Sequence, residues 1–284
     1  MERSHCPICS TDDPVHFQNV AARELMICRD CRHIFWATMP SPEVMASYYA
    51  SAYTEAHDQA SIQASARDYY GRHLLELAEQ AGKPVSQLHI VDVGCSIPEF
   101  LHVAREAGAS TVGVDHSEQA EESGVRFGVP VLTPEKFLST VPCQSIDILR
   151  FSHTLEHLID PVRALREYTS KLRTGGLLYI TQPSFPMLRA DPSTIQLEDA
   201  AWPEHLHFFS PSSLCRMVES AGFSITKLFT SDDTERRALK YHDHLDSLRA
   251  DQLERYPGDP FFGEMNNAPY YFGANVTLYA ERGA

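Results

Sequence analysis

From residue 61 onward, short apolar runs alternate with segments whose apolar residues recur every three to four positions. SIQASARDYYGRHLLELAEQAG carries the helical period and ends at a glycine. LHIVDV then reads as a strand running into Gly94, followed by the helix EFLHVAREAG. STVGVD is a second strand ending at Asp115, and the helix SEQAEESGVRF leads to a third, short strand, VPVL. SIDILRFS is the fourth, followed by HTLEHLIDP and the helix VRALREYTSKL. The pair Gly175-Gly176 is expected to stop that helix, and LLYITQP to form the fifth strand. ITKLFT and ANVTLYA supply a sixth strand and a final antiparallel one. Strands alternating with helices predict an α/β fold built on a doubly wound, mostly parallel seven-stranded sheet.

Before residue 61 the pattern is different. CPIC and CRDC place Cys6, Cys9, Cys28 and Cys31 in two Cys-x-x-Cys knuckles separated by 18 residues. Two such knuckles complete a tetrahedron of thiolates around zinc. A redox pair or two disulfides are the alternatives, but a redox motif needs only one knuckle. With all four ligands supplied by the chain, the site is expected to be structural, organising a zinc ribbon over residues 1–40 that is too small to fold on its own core. His33, two residues beyond the last cysteine, is expected at the surface. The prolines of MPSPEVMASYYASAYTEAH end the ribbon, and a helix in 41–60 carries Tyr48, Tyr49 and Tyr53. Aromatics at helical spacing usually pack; here they also stand as candidates to roof a ligand site.

In a parallel sheet of this kind, ligands lie at the carboxyl ends of the strands near the switch point. That rule gathers Gly94, Asp115 and the segment after Ser152. Asp115 lies 21 residues past Gly94, a spacing at which a carboxylate can bind the hydroxyls of an adenosine ribose. The turn itself, VDVGCSIPEF, has Ser96 and Pro98 where a Gly-x-Gly-x-Gly turn has glycines. Only a dinucleotide's pyrophosphate needs backbone approach along the whole turn. S-adenosylmethionine carries a sulfonium and an amino-acid tail instead, and Ser96 is small enough to line that tail. Pro98 is expected in the first turn of the following helix.

Composition narrows the reading. The 284 residues are 43% hydrophobic, enough for a real core, and the formal net charge is −14. So acidic a surface repels phosphate backbones, and no Lys/Arg run offsets it, so no nucleic-acid partner is expected. There is no 18-residue apolar run and no secretory h-region, so neither a membrane span nor export is expected. The cytoplasm, where thiols stay reduced, is the expected compartment.

These motifs together resemble class I S-adenosylmethionine-dependent methyltransferases, Rossmann-like in fold, that carry an N-terminal zinc ribbon. The resemblance runs through CPIC…CRDC, MPSPEVMASYY, VDVGC, GVDHS, FSHTLEHLIDP, GGLLYITQPS and EHLHFFSPSSLCRMVESAGF. It implies S-adenosyl-L-methionine as cofactor, held by the turn residues Asp92, Gly94, Cys95 and Ser96 and by Asp115 and His116 after the second strand. Ser152 and His153 fall in the segment that lies beside the adenosine and substrate, and Glu156 and His157 tie loop to sheet. The acidic residue that the family often has after strand three is replaced by Thr133-Pro134-Glu135, with Thr133 or a backbone amide as substitute. Sugar C-methyltransferases belong to this group, along with many small-molecule methyltransferases.

Methyl transfer depends mostly on positioning, and a base is needed only where the acceptor must lose a proton. Glu204 and His205, in WPEHLHFFS, match the Glu-His pair of the sugar C-methyltransferases, in which the histidine is the proposed base. A neutral imidazole suits proton removal near neutral pH. The competing reading makes EHLHFFSP a helix entry, with Ser210 or Ser212 as cap and Phe208 and Phe209 in the core. The proline-broken segment before it predicts a lid over 184–210. The catalytic domain then spans 61–284. His242, Asp243 and His244 do not form a metal site if helical, because residues two apart do not face one another. The expected function is methylation of a small-molecule acceptor. Two alternatives remain: an rRNA base methyltransferase with a zinc module, which a basic rim around the crevice would favour, and a cofactor-binding regulator or pseudoenzyme, motivated by Ser96 and Pro98. The sequence leaves the oligomeric state open.

Overall fold

The computed structural model describes residues 4–12, 14–20, 22–52, 64–183, 202–231, 236–238 and 275–283. Strands β1 (Pro14–Val20), β2 (Arg23–Cys28) and β3 (Ile34–Trp36) precede helices α1 (Pro42–Ala52) and α2 (Ala64–Gln80). The winding then runs β4 (His89–Val93), α3 (Glu99–Glu106), β5 (Ser110–Val114), α4 (Glu118–Phe127), β6 (Val131–Leu132), α5 (Pro134–Thr140), β7 (Ile146–Ser152), α6 (Pro161–Thr169) and β8 (Leu172–Pro183). After it come β9 (His207–Phe208), α7 (Pro211–Ser220), β10 (Phe223–Ser231), β11 (Arg236–Ala238) and β12 (Asn275–Arg282).

The large sheet has the order β11-β10-β12-β8-β7-β4-β5-β6. Seven of these strands are the expected doubly wound set, and β11 adds an eighth as a three-residue antiparallel hairpin arm on β10. The central pairs β4·β5, β4·β7 and β5·β6 are parallel. Their residues are apolar almost without alternation, with Ile90, Val91, Ile148, Leu149 and Phe151 buried, as befits strands covered on both faces. The second sheet is small: β1-β2-β3-β9, antiparallel throughout.

By its contacts the chain divides into two units that do not follow its linear order. One comprises Met1–Tyr48, Leu155–Ala164 and Thr181–Tyr279 and contains the small sheet; the other comprises Tyr49–Thr154, Leu165–Ile180 and Ala280–Ala284 and contains the parallel winding.

Several expectations are corrected. The glycine pair does not stop α6. That helix ends at Thr169, where the Thr169 and Ser170 hydroxyls donate to the carbonyls of Arg166 and Glu167, and Gly175-Gly176 fall inside β8. Pro98 is the N-cap of α3 rather than a residue of its first turn. His33 is fully buried, not a surface residue. Of the segment 184–210, expected as a lid, residues 202–210 are described. Leu206–Ser210 are buried, and His207 and Phe208 pair with Phe35 and Ile34 as the fourth strand of the small sheet. Residues 184–201, Tyr53 and His242-Asp243-His244 lie outside the described residues.

Candidate functional site

In the first unit, the two knuckles bring four sulfurs together. Cys6 Sγ lies 3.5 Å from Cys31 Sγ and Cys9 Sγ 3.5 Å from Cys28 Sγ, with all four within 4.8 Å of one another. A disulfide would need about 2.05 Å. A zinc–sulfur bond of about 2.3 Å in a tetrahedron gives sulfur–sulfur edges of about 3.8 Å, so the donors and their spacing fit one tetrahedral ion. The bond to Cys28 is the main influence that pushes Cys6 and Cys31 above the ordinary thiol range and holds Cys9 below it; Cys28 is itself held low, chiefly by Cys31. Binding of an ion would displace the protons that these thiols carry.

The ribbon also builds outward. The Trp36 indole N–H donates to the His205 carbonyl at 2.8 Å. The Ser212 hydroxyl donates to the Cys31 carbonyl at 3.1 Å. Ser210 caps α7 through a capping box with Ser213. His33 Nε2 and His207 Nδ1 share a hydrogen bond of 2.9 Å between buried rings. The helix-entry reading of EHLHFFSP holds for its end, where Ser210 caps α7 and Phe208 and Phe209 are buried; Glu204 and His205, ahead of β9, are half-buried. Glu204 accepts a hydrogen bond of 2.6 Å from the Tyr48 hydroxyl at Oε2. His157 Nδ1 lies 3.0 Å from the Glu204 carbonyl, and its ring centroid is 5.0 Å from that of His205. From the sequence, His157 is expected as a structural tie, and nothing there joins Tyr48 or Trp36 to this group. The second histidine of HTLEH was the one available signal.

In the second unit, the carboxyl ends of β4, β5 and β7 converge as expected for this sheet. Gly94 sits at φ +72°, and a Cβ there would fall 2.5 Å from Thr154 Oγ1, so glycine is required by both backbone and neighbour. Ser96 takes φ +45° and His153 φ +52°, the left-handed region that a glycine would enter without strain. The turn therefore keeps a glycine-like course at Ser96 despite the substitution. The Ser96 amide donates to Asp115 Oδ2 at 2.9 Å; the Ser117 amide and hydroxyl donate to Oδ1 at 2.9 and 2.8 Å. Asp115 thus joins the β4 turn to the end of β5. His116 lies beside it, more than half exposed, with the Tyr49 ring edge-on at 4.8 Å. Ser152 offers its carbonyl to the Thr154 hydroxyl, and Thr133 caps α5 by accepting from the Lys136 amide.

Two turn residues face inward. Cys95 packs against Gly113, whose Cβ would fall 2.6 Å from the sulfur, and burial pushes its thiol above the ordinary range. Asp92 is buried opposite Arg150 on β7, accepting from its guanidinium at 2.6 Å through Oδ2. Its Oδ1 has no hydrogen-bond partner among the described residues. A glycine turn shaped by Thr154, a carboxylate at the end of β5 and an unsatisfied buried oxygen supply backbone amides and acceptors suited to the ribose hydroxyls and the zwitterionic amino-acid tail of S-adenosylmethionine.

A family profile described as a methyltransferase domain matches residues 62–228. Among curated proteins, the chain is 27% identical over 150 residues to a ubiquinone biosynthesis O-methyltransferase of Aeromonas salmonicida, covering 48% of this chain and 63% of that protein. It is 25% identical over 215 residues to the C-methyltransferase NovU of Streptomyces niveus, covering 74% of this chain and 48% of that protein. The chain thus spans about half to two thirds of the length of these relatives. Among solved structures, it shares its fold with a SAM-dependent methyltransferase from Archaeoglobus fulgidus at TM-score 0.51 and 17% identity, covering 75% of this chain and 94% of that one. A putative sarcosine dimethylglycine methyltransferase from Galdieria sulphuraria also gives TM-score 0.51 at 14% identity, covering 84% and 98%.

Proposed function

Since the chain belongs to the methyltransferase-domain family, with residues 62–228 matching its profile, we propose that it transfers a methyl group from S-adenosyl-L-methionine to a small-molecule acceptor. The observation that carries this reading is the Asp115 carboxylate at the end of β5, bonded to the Ser96 amide of a turn that keeps its glycine-like course. When bound, the cofactor supplies an electrophilic methyl group on a sulfonium. Asp115 would hold the ribose hydroxyls, with His116 beside it and Thr133, Ser152 and His153 along the adenosine. Asp92 and Gly94 would shape the turn under the amino-acid tail, with Ser96 lining it and Cys95 packing behind it.

The ribbon's four cysteines hold zinc as a structural ion in this proposal. Where the acceptor must lose a proton, His205 receives it and Glu204, anchored by Tyr48, orients the imidazole. The Aeromonas relative is a ubiquinone biosynthesis O-methyltransferase and NovU a C-methyltransferase. Both are consistent with a small organic acceptor.

Calorimetry and turnover test the two halves separately. Asp115→Ala is expected to weaken cofactor affinity by about 1.5–3 kcal/mol, the scale of hydrogen bonds to a charged group. His205→Ala is expected to lower turnover by about 10²–10⁴-fold with cofactor affinity and thermal stability near the parent's. Unchanged affinity in the first variant, or near-parental turnover in the second, removes the corresponding role.

A further inference from the structure

The four cysteines are not the chain's one metal-compatible group. Ligand atoms of His157, Glu204 and His205 also lie within 4.8 Å of one another, all three side chains half-buried within the first unit. Two imidazoles and a carboxylate at this spacing need more than proximity to favour an ion, and the surrounding bonds supply it. His157 Nδ1 lies 3.0 Å from the Glu204 carbonyl. A carbonyl only accepts, so the proton is on Nδ1 and the lone pair is on Nε2. Metal-binding histidines are oriented in this way, by donating the other ring N–H to a carbonyl or carboxylate. The Glu204 carboxylate is held from behind by the Tyr48 hydroxyl at 2.6 Å, and the segment carrying His205 is tethered through its carbonyl to Trp36 at 2.8 Å. Glu156, buried, places Oε1 3.8 Å from His157 Nε2, beyond hydrogen-bond length.

We propose that His157, Glu204 and His205 form a binding site for a divalent transition-metal ion, separate from the four-cysteine cluster. Mixed imidazole and carboxylate donors select a first-row ion such as zinc or cobalt over magnesium or calcium, which prefer oxygen alone. Three protein ligands leave a coordination position open, the mark of a site that takes a substrate atom. The proposal rests on the reading of Glu204 and His205 as acceptor-facing, and it narrows the acceptor to one with an oxygen able to coordinate. Held by His157, Glu204 and His205, such an ion would supply Lewis-acid chemistry, lowering the pKa of a coordinated acceptor hydroxyl so that its proton could leave to water. With the ion bound, His205 would be a ligand; without it, the imidazole keeps the proton-accepting role proposed above.

Cobalt(II) binding to the full chain, stripped of metal and kept reduced, tests this. Equilibrium dialysis should give two ions per chain. One should show intense thiolate-to-cobalt charge-transfer absorption; the other should lack it. Glu204→Gln and His157→Gln should each abolish the second ion and leave the thiolate band intact, which also reports that the ribbon is folded. Tyr48→Phe should weaken the second ion about 10–100-fold, the usual effect of losing a group that orients a ligand. One cobalt per chain in the parent, or a second ion unchanged in both ligand variants, overturns the site. Turnover of His205→Ala in metal-stripped protein then decides separately whether the imidazole alone handles the proton.

Discussion

Asp92 and Arg150 face each other across β4 and β7, both buried, with the guanidinium also 4.7 Å from the Phe100 ring centroid. Burial is the largest influence on each, holding the Asp92 carboxyl above the usual carboxylate range against the pull of Arg150. Removing one partner strands the other's charge in the core. Arg150→Met should therefore cost about 3–5 kcal/mol, and adding Asp92→Asn should recover much of that because no charge is left unpaired. Denaturant melts of the two single variants and the double variant give the coupling. Asp147 shows the opposite balance. Burial favours its neutral form, but bonds of 2.6 Å from Lys83 and from Arg173, with another from the His89 amide, hold the carboxyl below its ordinary range. A depressed folded pKa stabilises the fold above the unfolded value of about 4 and loses that contribution as pH falls through the folded value. Asp147→Asn should thus cost about 1.5–3 kcal/mol at neutral pH, with the deficit fading below about pH 4 in melts across the acid range.

At the scale of elements, the four-cysteine cluster and the segment before α7 are one construction. The Cys31 carbonyl accepts from Ser212, β3 pairs with β9, and Trp36 bonds the His205 carbonyl. Cys28→Ser should release the ribbon's ion, seen by elemental analysis, and loosen the Glu204–His205 segment with it. Hydrogen exchange should then rise at residues 204–210 as well as at 23–36. An ion-free variant with exchange unchanged at 204–210 would show that β9 holds without the knot. This coupling was beyond the sequence. Knuckle spacing revealed the cysteine cluster, because its chemistry is local. The strand–helix alternation revealed the parallel winding, because fully buried strands and amphipathic helices each leave a periodic trace. A two-residue strand such as His207–Phe208 is shorter than any period, and its partner lies far away in the chain. The end of α6 was misplaced because glycine marked a stop where serine and threonine hydroxyls had already satisfied the last carbonyls. The convergence of Gly94, Asp115 and His153 followed from the topology rule, whereas the inward turn of Asp92 and Cys95 depended on Arg150 and Gly113, neighbours on adjacent strands.

For the whole molecule, the pairing of β9 on β3 sets an order of events during synthesis. Phe35 must wait for His207, about 170 residues later, before the small sheet has its fourth strand. At roughly 5–20 residues per second, the interval is about 10–30 s. Throughout it the far side of β3 offers unpaired amides and carbonyls flanked by Phe35 and Trp36, an apolar template for wrong pairings. The N-terminal segment thus leaves the ribosome as an unfinished edge. Early capture of the proposed ion by the knuckles would fix the first three strands and limit the shapes that edge can take, and metal supply during translation would then bear on the yield of correctly paired chains, and not only on the stability of finished ones.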